Sequence, residues 1–559
     1  MAYPIEFELF APNAVSVALI GSFLDGSDRP MQKDDRGYFR TSIELEDGTY
    51  QYQFRVQIQD DQSEGDRQIE INDPYAKEIN PATCVSVVRV HNGQRIVDTY
   101  QWQHGDRPLP ANHELIIYEL LVPDFAHPQQ DPDQKGSYQD VIDKLDYLHD
   151  LGINAIELMP VNEAPGAFSW GYTPSYFFAP DPTYGSTADL KKLIDECHAR
   201  GIRVILDQLY NHSSEANPLF KLDRTYWYYE GRHHPDAKPS DYWGPEFNYE
   251  YQDDRLGIRP AWQFMGDVVR YWVQQYHIDG IRYDALKELD NYDFLYWITQ
   301  EIDQIKGEKP FYNIGEYIPE QPGLVRPSGP MDSTWHDSFQ YFMSRHLTGE
   351  TFELDQLQEV LKPTEQGYPD SIATVVNYLT SHDRDRTLKA LGDRGIFDDA
   401  AFQRAKLGAA ILMTAPGIPM IWMGEEFGMY TPSTPNQPHA LEWELLKNDL
   451  NRDLLNYYKQ LIALRKQHPA LLTSNIDIFH EDPENKVFAY VRWNNEGSQV
   501  VVIVSFADRT LEGYQIHNFP AHESWQMWGS GEEVRSHNNQ ITLDLAPYEA
   551  HILASTSTS

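Results

Sequence analysis

The feature that constrains the fold most is an alternation of short apolar runs with amphipathic segments through the middle of the chain. A buried parallel strand reads as a short continuous apolar run, and the helix that covers it has an apolar period near 3.6 residues. Eight such units over roughly 350 residues predict a (β/α)8 barrel, which typically has about 250 residues and can exceed 400 with insertions. The predicted strands lie at residues 115–121, 153–160, 202–208, 279–285, 310–317, 333–339, 373–379 and 418–427.

The two ends of the chain show a different pattern, in which polar and apolar residues alternate and Asp, Gly and Pro mark the turns. This period of two predicts an antiparallel β-sandwich at each end. We therefore predict an N-terminal sandwich at 1–105, the barrel at 112–468 and a C-terminal sandwich at 469–559. The barrel carries a long insertion after its third strand, at 209–262, and insertions of this length are usually functional.

Composition excludes several classes of protein. With 85 acidic and 45 basic residues the formal net charge is −40, which would repel a nucleic-acid backbone. Apolar runs are too short to cross a membrane, and the first residues lack the basic start and apolar core of a secretory signal. Two cysteines are too few for a disulfide framework. We expect a cytoplasmic protein with no nucleic-acid or membrane partner, and its oligomeric state stays open.

Polar residues at the predicted strand ends are the candidates for chemistry, because the carboxyl ends of barrel strands form the open face of the fold. Four of these strand ends carry acids. In chain order the candidates are Asp207, Asn211, His212, Arg282, Asp284, Glu316, His382 and Asp383.

Two of these acids have different predicted environments. Arg282 and Asp284 are two residues apart, so on one strand they face the same side, and the guanidinium would keep Asp284 ionised. Glu316 follows a glycine amid apolar residues, where burial raises a carboxyl pKa and favours a proton donor. One ionised and one protonated carboxyl form a glycosidase pair. A buried Asp–Arg pair alone would equally well serve only to tie two strands together.

Four segments, LDQLYNH (206–212), GIRYDALKE (280–288), NIGEY (313–317) and LTSHD (379–383), occur in this order. They resemble the four sequence regions of the α-amylase family of glycoside hydrolases, clan H. The N-terminal stretch FAPNAVSVALIGSFLDG is similar to the carbohydrate-binding-like module of branching, debranching and trehalose-releasing relatives. It lacks the tryptophan that those modules often carry after Gly-x-Phe, which favours a packing role, and glycan binding by the module stays open.

The resemblance implies roles for three acids. Asp284 would attack the anomeric carbon, Glu316 would protonate the leaving oxygen and then activate water, and Asp383 would steady the distorted sugar. The anomeric configuration would be retained through a covalent intermediate.

The resemblance also implies substrate-binding residues. Tyr172 would be a stacking platform, with His212 and His382 as hydrogen-bond donors to the same sugar. Lys287 would contact sugars on the leaving-group side, although Glu288 stands where many amylases carry histidine. Asp207 would support the site from below, and Trp243 is an aromatic residue of the insertion that could stack on glucose. The full predicted set of substrate-binding residues is Tyr172, Asp207, His212, Trp243, Arg282, Lys287 and His382.

A bound metal is a separate question. Asn211 matches a position that binds structural calcium in some relatives. Calcium takes six to eight oxygen ligands, and the sequence offers one plausible side chain. We expect no required cofactor, with structural calcium at Asn211 left open.

The sequence thus favours a retaining hydrolase of α-1,4-glucosidic bonds in starch, glycogen or maltodextrins, with an α-glucan as its partner. A glucan branching enzyme or another transferase is the alternative, supported by the N-terminal module but not by Asn211 and Lys287, which branching enzymes usually lack. Debranching of α-1,6 bonds and hydrolysis of maltooligosyl trehalose are further options. A non-catalytic glucan-binding relative is disfavoured because all three acids are present.

Overall fold

The computed structural model describes residues 2–58, 67–126, 135–166, 169–231, 242–432, 434–435, 439–521 and 524–555. Residues 232–241 of the predicted insertion lie outside these ranges. Among the described residues, none of the helices is both long and apolar enough to cross a bilayer.

The N-terminal part is a sandwich of two antiparallel sheets, as predicted. One sheet has the order β1-β5-β4 and the other β3-β2-β6-β8-β9, with β7 paired to β6. Alternate residues such as Phe7, Leu19 and Phe54 are buried between the sheets, which explains the period of two. The strands are β1 Tyr3–Phe10, β2 Ala14–Gly21, β3 Arg29–Pro30, β4 Gln32–Lys33, β5 Tyr38–Leu45, β6 Gly48–Ile58, β7 Arg67–Ile71, β8 Ser86–His91 and β9 Gln94–Ile96.

A closed barrel of eight parallel strands follows, which confirms the predicted fold class. The strands of this region are β10 Ile117–Leu120, β11 Ala155–Leu158, β12 Asn162–Glu163, β13 Tyr176–Pro180, β14 Arg203–Leu209, β15 Gly280–Asp284, β16 Tyr312–Gly315, β17 Ser333–Trp335, β18 Val375–Tyr378 and β19 Ile418–Trp422. The barrel closes in the order β10-β11-β14-β15-β16-β17-β18-β19, and β12 and β13 form a separate hairpin.

Fourteen α-helices are described. They are α1 Val122–Phe125, α2 Tyr138–Ile142, α3 Leu145–Leu151, α4 Thr187–Ala199, α5 Pro218–Leu222, α6 Arg224–Trp227, α7 Pro260–Tyr276, α8 Leu286–Leu289, α9 Tyr292–Ile305, α10 Asp337–Leu347, α11 Leu354–Leu361, α12 Thr387–Gly392, α13 Asp398–Thr414 and α14 Asp449–Gln467. The sequence predicts one helix where α2 and α3 lie. Lys144 has φ −106° and ψ −1°, so the helical path stops at Ile142 and restarts at Leu145.

The barrel interior has an apolar layer below a polar one. Ile117, Ala155 and Ile205 lie in the apolar interior cluster. Residues two positions further along a strand point to the same side, so Glu119, Glu157 and Asp207 form the next layer toward the carboxyl ends. The strand period therefore places charged groups inside the barrel mouth.

The C-terminal part returns to antiparallel strands. A six-stranded sheet has the order β20-β21-β22-β27-β24-β25, and β23 pairs with β26 against it. Its strands are β20 Ile476–Asp482, β21 Val487–Trp493, β22 Gln499–Ser505, β23 Leu511–Ile516, β24 Trp525–Met527, β25 Glu533–Val534, β26 Ile541–Leu545 and β27 Glu549–Ser555. Buried Arg492 donates to the carbonyl oxygens of Thr414, Thr473 and Asn475, which ties this part to the end of α13.

Candidate active site

A cavity of about 560 Å3 opens at the carboxyl ends of the barrel strands. The loops that follow β11, β14, β15, β16, β18 and β19 all contribute to its wall. The lining residues are Ser169, Trp170, Tyr172, Thr173, His212, Trp243, Asp284, Ala285, Glu288, Glu316, Ile318, His382, Asp383 and Pro435. All three predicted acids are therefore brought together in one cavity, although the loops that carry them are far apart in sequence.

Arg282 is the centre of the cavity floor. Its Nη1 lies 2.8 Å from Asp207 Oδ2 and 2.7 Å from Asp284 Oδ1, and its Nη2 lies 3.0 Å from Glu316 Oε2. The guanidinium is fully buried and stacks over the Trp335 ring at 4.3 Å. One cation thus joins three carboxyls from three adjacent strands or strand ends.

The backbone around Ala285 fixes the Glu316 carboxyl. Ala285 has φ 51°, a left-handed conformation that is strained for a residue with a Cβ. Its N–H donates to Glu316 Oε2 at 3.0 Å, while Leu286 N–H donates to the Glu316 carbonyl at 3.0 Å. The turn after β15 therefore orients the carboxyl group at the end of β16.

The electrostatics of Asp284 differ from the prediction. Burial and the nearby charges of Glu316 and Asp207 raise the pKa of Asp284 well above its usual range, and Arg282 only partly opposes this rise. Arg282 favours the ionised form of Asp284, as expected, but burial and the two neighbouring carboxyls act in the opposite direction. Three carboxyls around a single guanidinium leave negative charge in excess, which favours the uptake of a proton by the cluster.

A second row of charged side chains, Glu119, His382 and Asp383, lies beside this cluster. His382 Nδ1 is 2.6 Å from Glu119 Oε1, and its Nε2 is 3.3 Å from Asp383 Oδ2. Burial opposes protonation of His382, but the two flanking carboxylates raise its pKa well above the usual range. Burial alone would raise the pKa of Asp383, but the His382 charge outweighs burial and lowers this pKa to about 2. Asp383 is therefore an anion held against an imidazolium.

Sequence reasoning missed the two buried glutamates Glu119 and Glu157, which face each other in the β10–β11 register. Burial raises the pKa of Glu157 well above its usual range, and both of its carboxyl oxygens lack a hydrogen-bond partner among the described residues. The available signal was a single acid inside each of the apolar runs LIIYELL and INAIELMP. A charge inside a buried strand is rare unless it is paired.

Aromatic side chains form the walls. Tyr172 donates its hydroxyl to Asp207 Oδ2 at 2.6 Å and stacks on His382 with ring centroids 5.0 Å apart. Trp170, which the sequence analysis did not single out, contacts His382 edge-on at 5.3 Å. Trp243 is 45% exposed and lies 5.9 Å from the His212 ring. The cavity thus combines flat apolar faces with charged groups, as carbohydrate sites do.

His212 lies in the wall as a neutral ring. Its Nε2 is 2.8 Å from the Tyr172 carbonyl oxygen, which can only accept, so Nε2 carries the proton and donates. Burial lowers the pKa of His212 to about 4, which keeps the ring neutral. In this state its N–H holds the loop that carries Tyr172.

Two predicted residues lie apart from the cavity surface. Lys287 is partly buried on α8 and is not among the residues that line the cavity, whereas its neighbour Glu288 is. Asn211 is buried behind His212, and its amide nitrogen lies 3.4 Å from His212 Nδ1.

The described surroundings of Asn211 contain no acidic cluster that could bind calcium. The ion needs six to eight oxygen ligands. Within the described ranges, no group of three or more His, Cys, Asp or Glu side chains could hold a metal ion. The Asn211 side-chain nitrogen lies beside His212 Nδ1, and the Asn211 backbone carbonyl oxygen accepts from Phe247 N–H. Asn211 therefore braces the loop after β14.

The Glu119–His382 pair makes stability depend on pH. A histidine with a raised pKa stabilises the folded state fully at pH values below its unfolded pKa of about 6.5. This stabilisation is lost as the pH rises through the folded pKa. Replacing Glu119 by Gln removes one of the carboxylates that raise the pKa of His382. Because a broken buried pair typically costs about 3–5 kcal/mol, we expect Glu119→Gln to melt at a lower temperature, with the largest difference near pH 6.

Thermal unfolding from pH 5.5 to 9 measures this difference, with exposed Glu308→Gln as the isosteric control. The gap between wild type and Glu119→Gln should narrow as the pH rises, while the control should follow the wild type throughout. A gap that stays constant over this range would contradict the coupling.

Models of known families match the three parts of the chain. Residues 123–264 and 258–449 match the α-amylase catalytic domain, and residues 478–556 match the α-amylase C-terminal all-beta domain. Residues 3–76 match carbohydrate-binding module 48, the isoamylase N-terminal domain. The catalytic match covers more than half of the chain.

Individual relatives carry different activities in their names. A malto-oligosyltrehalose trehalohydrolase of Saccharolobus solfataricus is 26% identical over 83% of this chain and 85% of its own length. A 1,4-α-glucan branching enzyme of Pseudoalteromonas atlantica is 28% identical over 97% of this chain and 78% of its own. The structure of type I pullulanase from Bacillus subtilis, solved with maltose, superposes with a TM-score of 0.82 at 22% identity, covering 100% of this chain and 85% of that one. With its barrel, its clustered acids and these matches, the chain belongs to the α-amylase family of glycoside hydrolases and transferases.

Proposed function

We propose that this protein is a retaining glycoside hydrolase that cleaves α-1,4-glucosidic bonds of starch, glycogen or maltodextrins. The observation that carries the proposal is the contact of one Arg282 guanidinium with both Asp284 and Glu316. Because both carboxyls touch the same planar group, they lie side by side on the cavity floor. Retaining enzymes need carboxyls about 5–5.5 Å apart, whereas inverting enzymes leave about 6.5–9.5 Å for a water molecule.

In the first step of the proposed reaction the two acids have different roles. Asp284 attacks the anomeric carbon as the glycosidic bond breaks, and Glu316 transfers its proton to the departing oxygen. Arg282 lies nearer to Asp284 than to Glu316, 2.7 Å against 3.0 Å, and this contact opposes the effect of burial by favouring the negative charge that a nucleophile needs. Ala285 N–H and Arg282 occupy Glu316 Oε2, which leaves Oε1 to hold the proton.

The second step reverses the first. Ionised Glu316 takes a proton from a water molecule, the resulting hydroxide attacks the anomeric carbon, and the bond to Asp284 breaks with return of its electrons to the carboxylate. Two displacements at one carbon retain its configuration. Asp383 remains an anion throughout, which suits it to accept hydrogen bonds from sugar hydroxyls and to stabilise the positive charge that develops on the ring.

We propose an α-glucan as the substrate because the cavity combines aromatic faces with fixed polar groups. Tyr172 is aligned by Asp207 and His212, so its ring is held in place before a sugar arrives. Trp170 and Trp243 add two further aromatic walls. The structure of a relative solved with maltose supports this substrate class.

A branching or other transferase reaction is the second candidate. The branching enzyme of Pseudoalteromonas atlantica matches nearly the whole chain, which favours this reaction. The match of the N-terminal part to carbohydrate-binding module 48 also favours it. In that reaction a sugar hydroxyl, rather than water, resolves the intermediate on Asp284. The acids serve both reactions equally.

We also propose that catalysis needs no cofactor and that the protein resides in the cytoplasm. The chain itself supplies the nucleophile, the acid and the base. Cys84 and Cys197 are both free, and burial raises the pKa of the Cys197 thiol, so neither observation calls for an oxidising compartment.

The reaction class is tested by incubating the purified protein with maltoheptaose and with amylose, and measuring reducing ends and iodine absorbance together. Hydrolysis should raise reducing ends in step with the fall in iodine colour. A change of iodine colour without new reducing ends would replace the hydrolase by a branching enzyme. Release of trehalose from maltooligosyl trehalose, or cleavage of pullulan but not amylose, would redirect the specificity.

The roles of the two acids are tested by isosteric variants. Asp284→Asn removes the nucleophile and Glu316→Gln removes the proton donor without a change of volume, so we expect each to lower kcat at least about 1000-fold, within the range of acid–base and nucleophilic effects. Far-ultraviolet circular dichroism checks the fold, and Glu308→Gln serves as the surface control. Azide should restore turnover of an activated substrate in a nucleophile variant, and wild-type activity in Asp284→Asn would refute the assignment.

Removal of divalent cations tests the role of metal. Because no group of three or more His, Cys, Asp or Glu side chains among the described residues could hold a metal ion, we expect dialysis against EDTA to leave both kcat and the melting temperature unchanged. Added calcium should likewise have no effect. A drop of several degrees in melting temperature that calcium reverses would show a metal site.

A further inference from the structure

A cavity of about 940 Å3 lies where the N-terminal sandwich meets the insertion after β14. Among the described residues, none that line it also line the active-site cavity. Both parts of the chain contribute to its wall, the sandwich through the ends of its strands and the insertion through α5 and α6. Its volume is at the upper end of the range of about 300–1,000 Å3 that small-molecule sites have.

One asparagine joins the two walls of this junction cavity. Asn13 of the sandwich donates its side-chain amide to Asp223 Oδ2 at 2.8 Å, and its side-chain oxygen accepts from Arg255 Nη2 at 3.0 Å. The other carboxyl oxygen of Asp223 accepts from Tyr226 N–H at 3.1 Å, and Arg255 is paired with Asp253 at 2.9 Å. Asp223 and Arg255 are therefore already engaged in holding the walls together.

The remaining charged side chains of the wall are mostly basic. Within the described part of the chain, Arg67, Lys221 and Arg224 have no ion pair, and among the acids of the wall only Glu215 is likewise unpaired. This ratio of three bases to one acid reverses that of the whole chain, which has 45 basic and 85 acidic residues. Because so acidic a chain repels anions elsewhere, a wall of unpaired cations is a place where an anion is attracted.

The Arg224 guanidinium is supported by an aromatic ring. It lies 5.4 Å from the centroid of Phe220, which in turn contacts Tyr228 edge-on at 5.5 Å. A guanidinium placed over a ring keeps its N–H donors free, and its planar fork matches the oxygens of a phosphate. Lys221 adds a compact positive charge three residues earlier, near the end of α5. Together these groups suit a phosphate.

The size of the junction cavity indicates a ligand larger than inorganic phosphate. A single phosphate ion would fill only a small part of 940 Å3. The Glu215 carboxylate accepts hydrogen bonds, and the Thr225 hydroxyl can donate or accept them, so the wall also offers partners for hydroxyl groups. A phosphate group attached to a sugar combines both requirements.

We propose that the junction cavity binds a sugar phosphate, whose phosphate group is recognised by Arg67, Lys221 and Arg224. The sugar hydroxyls contact Glu215 and Thr225. Because the wall belongs to both parts of the chain, the bound ligand joins the sandwich to the insertion. The site is separate from the catalytic residues, so the inference holds for a hydrolase and a transferase alike.

Calorimetry with glucose 6-phosphate, in a buffer free of phosphate, tests the site. We expect Lys221→Gln and Arg224→Gln each to weaken binding about tenfold, because each removes a charge-assisted contact with the phosphate. Arg36→Gln, which removes an exposed arginine of the sandwich outside the cavity, is the matched control and should leave the affinity unchanged. Equal affinities of the wild type and both cavity variants, or no binding to the wild type, would overturn the site.

Related probes distinguish the two parts of the ligand. Inorganic phosphate should bind more weakly than glucose 6-phosphate, because it makes no contact through a sugar. Glucose, which lacks the charge, should not displace glucose 6-phosphate. Equal affinities for inorganic phosphate and glucose 6-phosphate would overturn a sugar phosphate as the ligand.

Thermal unfolding gives a second measurement that does not depend on turnover of α-glucans. Saturating glucose 6-phosphate should raise the melting temperature of the wild type and of Arg36→Gln, but not that of Arg224→Gln. Without the ligand all three proteins should melt together, since both arginines are exposed. An equal rise in all three proteins would place the ligand elsewhere and overturn the junction cavity as its site. Failure of the proposed hydrolase on every α-glucan would leave these results unaffected.

Discussion

The active site depends on the buried contact of Arg282 with three carboxyls. A guanidinium that is removed from water needs compensating charge, and Asp207, Asp284 and Glu316 supply it from neighbouring strands. The same contacts hold the two proposed reacting acids in fixed positions, so the barrel uses one ion cluster for both stability and geometry. Loss of the arginine would leave several carboxyls buried without a cation, which would raise their pKa values and remove the anion that attack requires.

Burial and neighbouring charges shift the pKa values of the polar layer of the barrel in both directions. Burial raises the pKa values of Glu119, Glu157 and Asp284, while His382 takes a proton between two carboxylates. The outcome is a set of groups with opposite tendencies, since the pKa of Asp383 is lowered to about 2 while the pKa values of Glu157 and Asp284 are raised. Separated pKa values of this kind are what acid–base catalysis at neutral pH needs.

The sequence predicted the barrel and the location of the acids, because both follow from short-range rules. Strand periods show which residues face inward, and the carboxyl ends of parallel strands converge at one mouth. It did not predict the raised pKa of Asp284, which depends on the summed effect of burial and charges from other strands. The roles of Glu119 and Glu157 were missed for the same reason, because their partner groups lie hundreds of residues away or across the β10–β11 pair. The split between α2 and α3 depends on the local backbone at Lys144, which the apolar periodicity does not show.

The choice between hydrolysis and transfer is not made by the acids. Both reactions share the first displacement, and they differ in whether water or a sugar hydroxyl reaches the intermediate. That choice depends on the affinity of the cavity wall near Glu316, where Ala285, Glu288 and Ile318 lie, for a second sugar. A wall that binds an acceptor tightly excludes water and favours transfer, whereas a wall that releases the first product quickly admits water. In the proposed mechanism these loop residues can therefore change the reaction while the buried ion cluster beneath them stays the same.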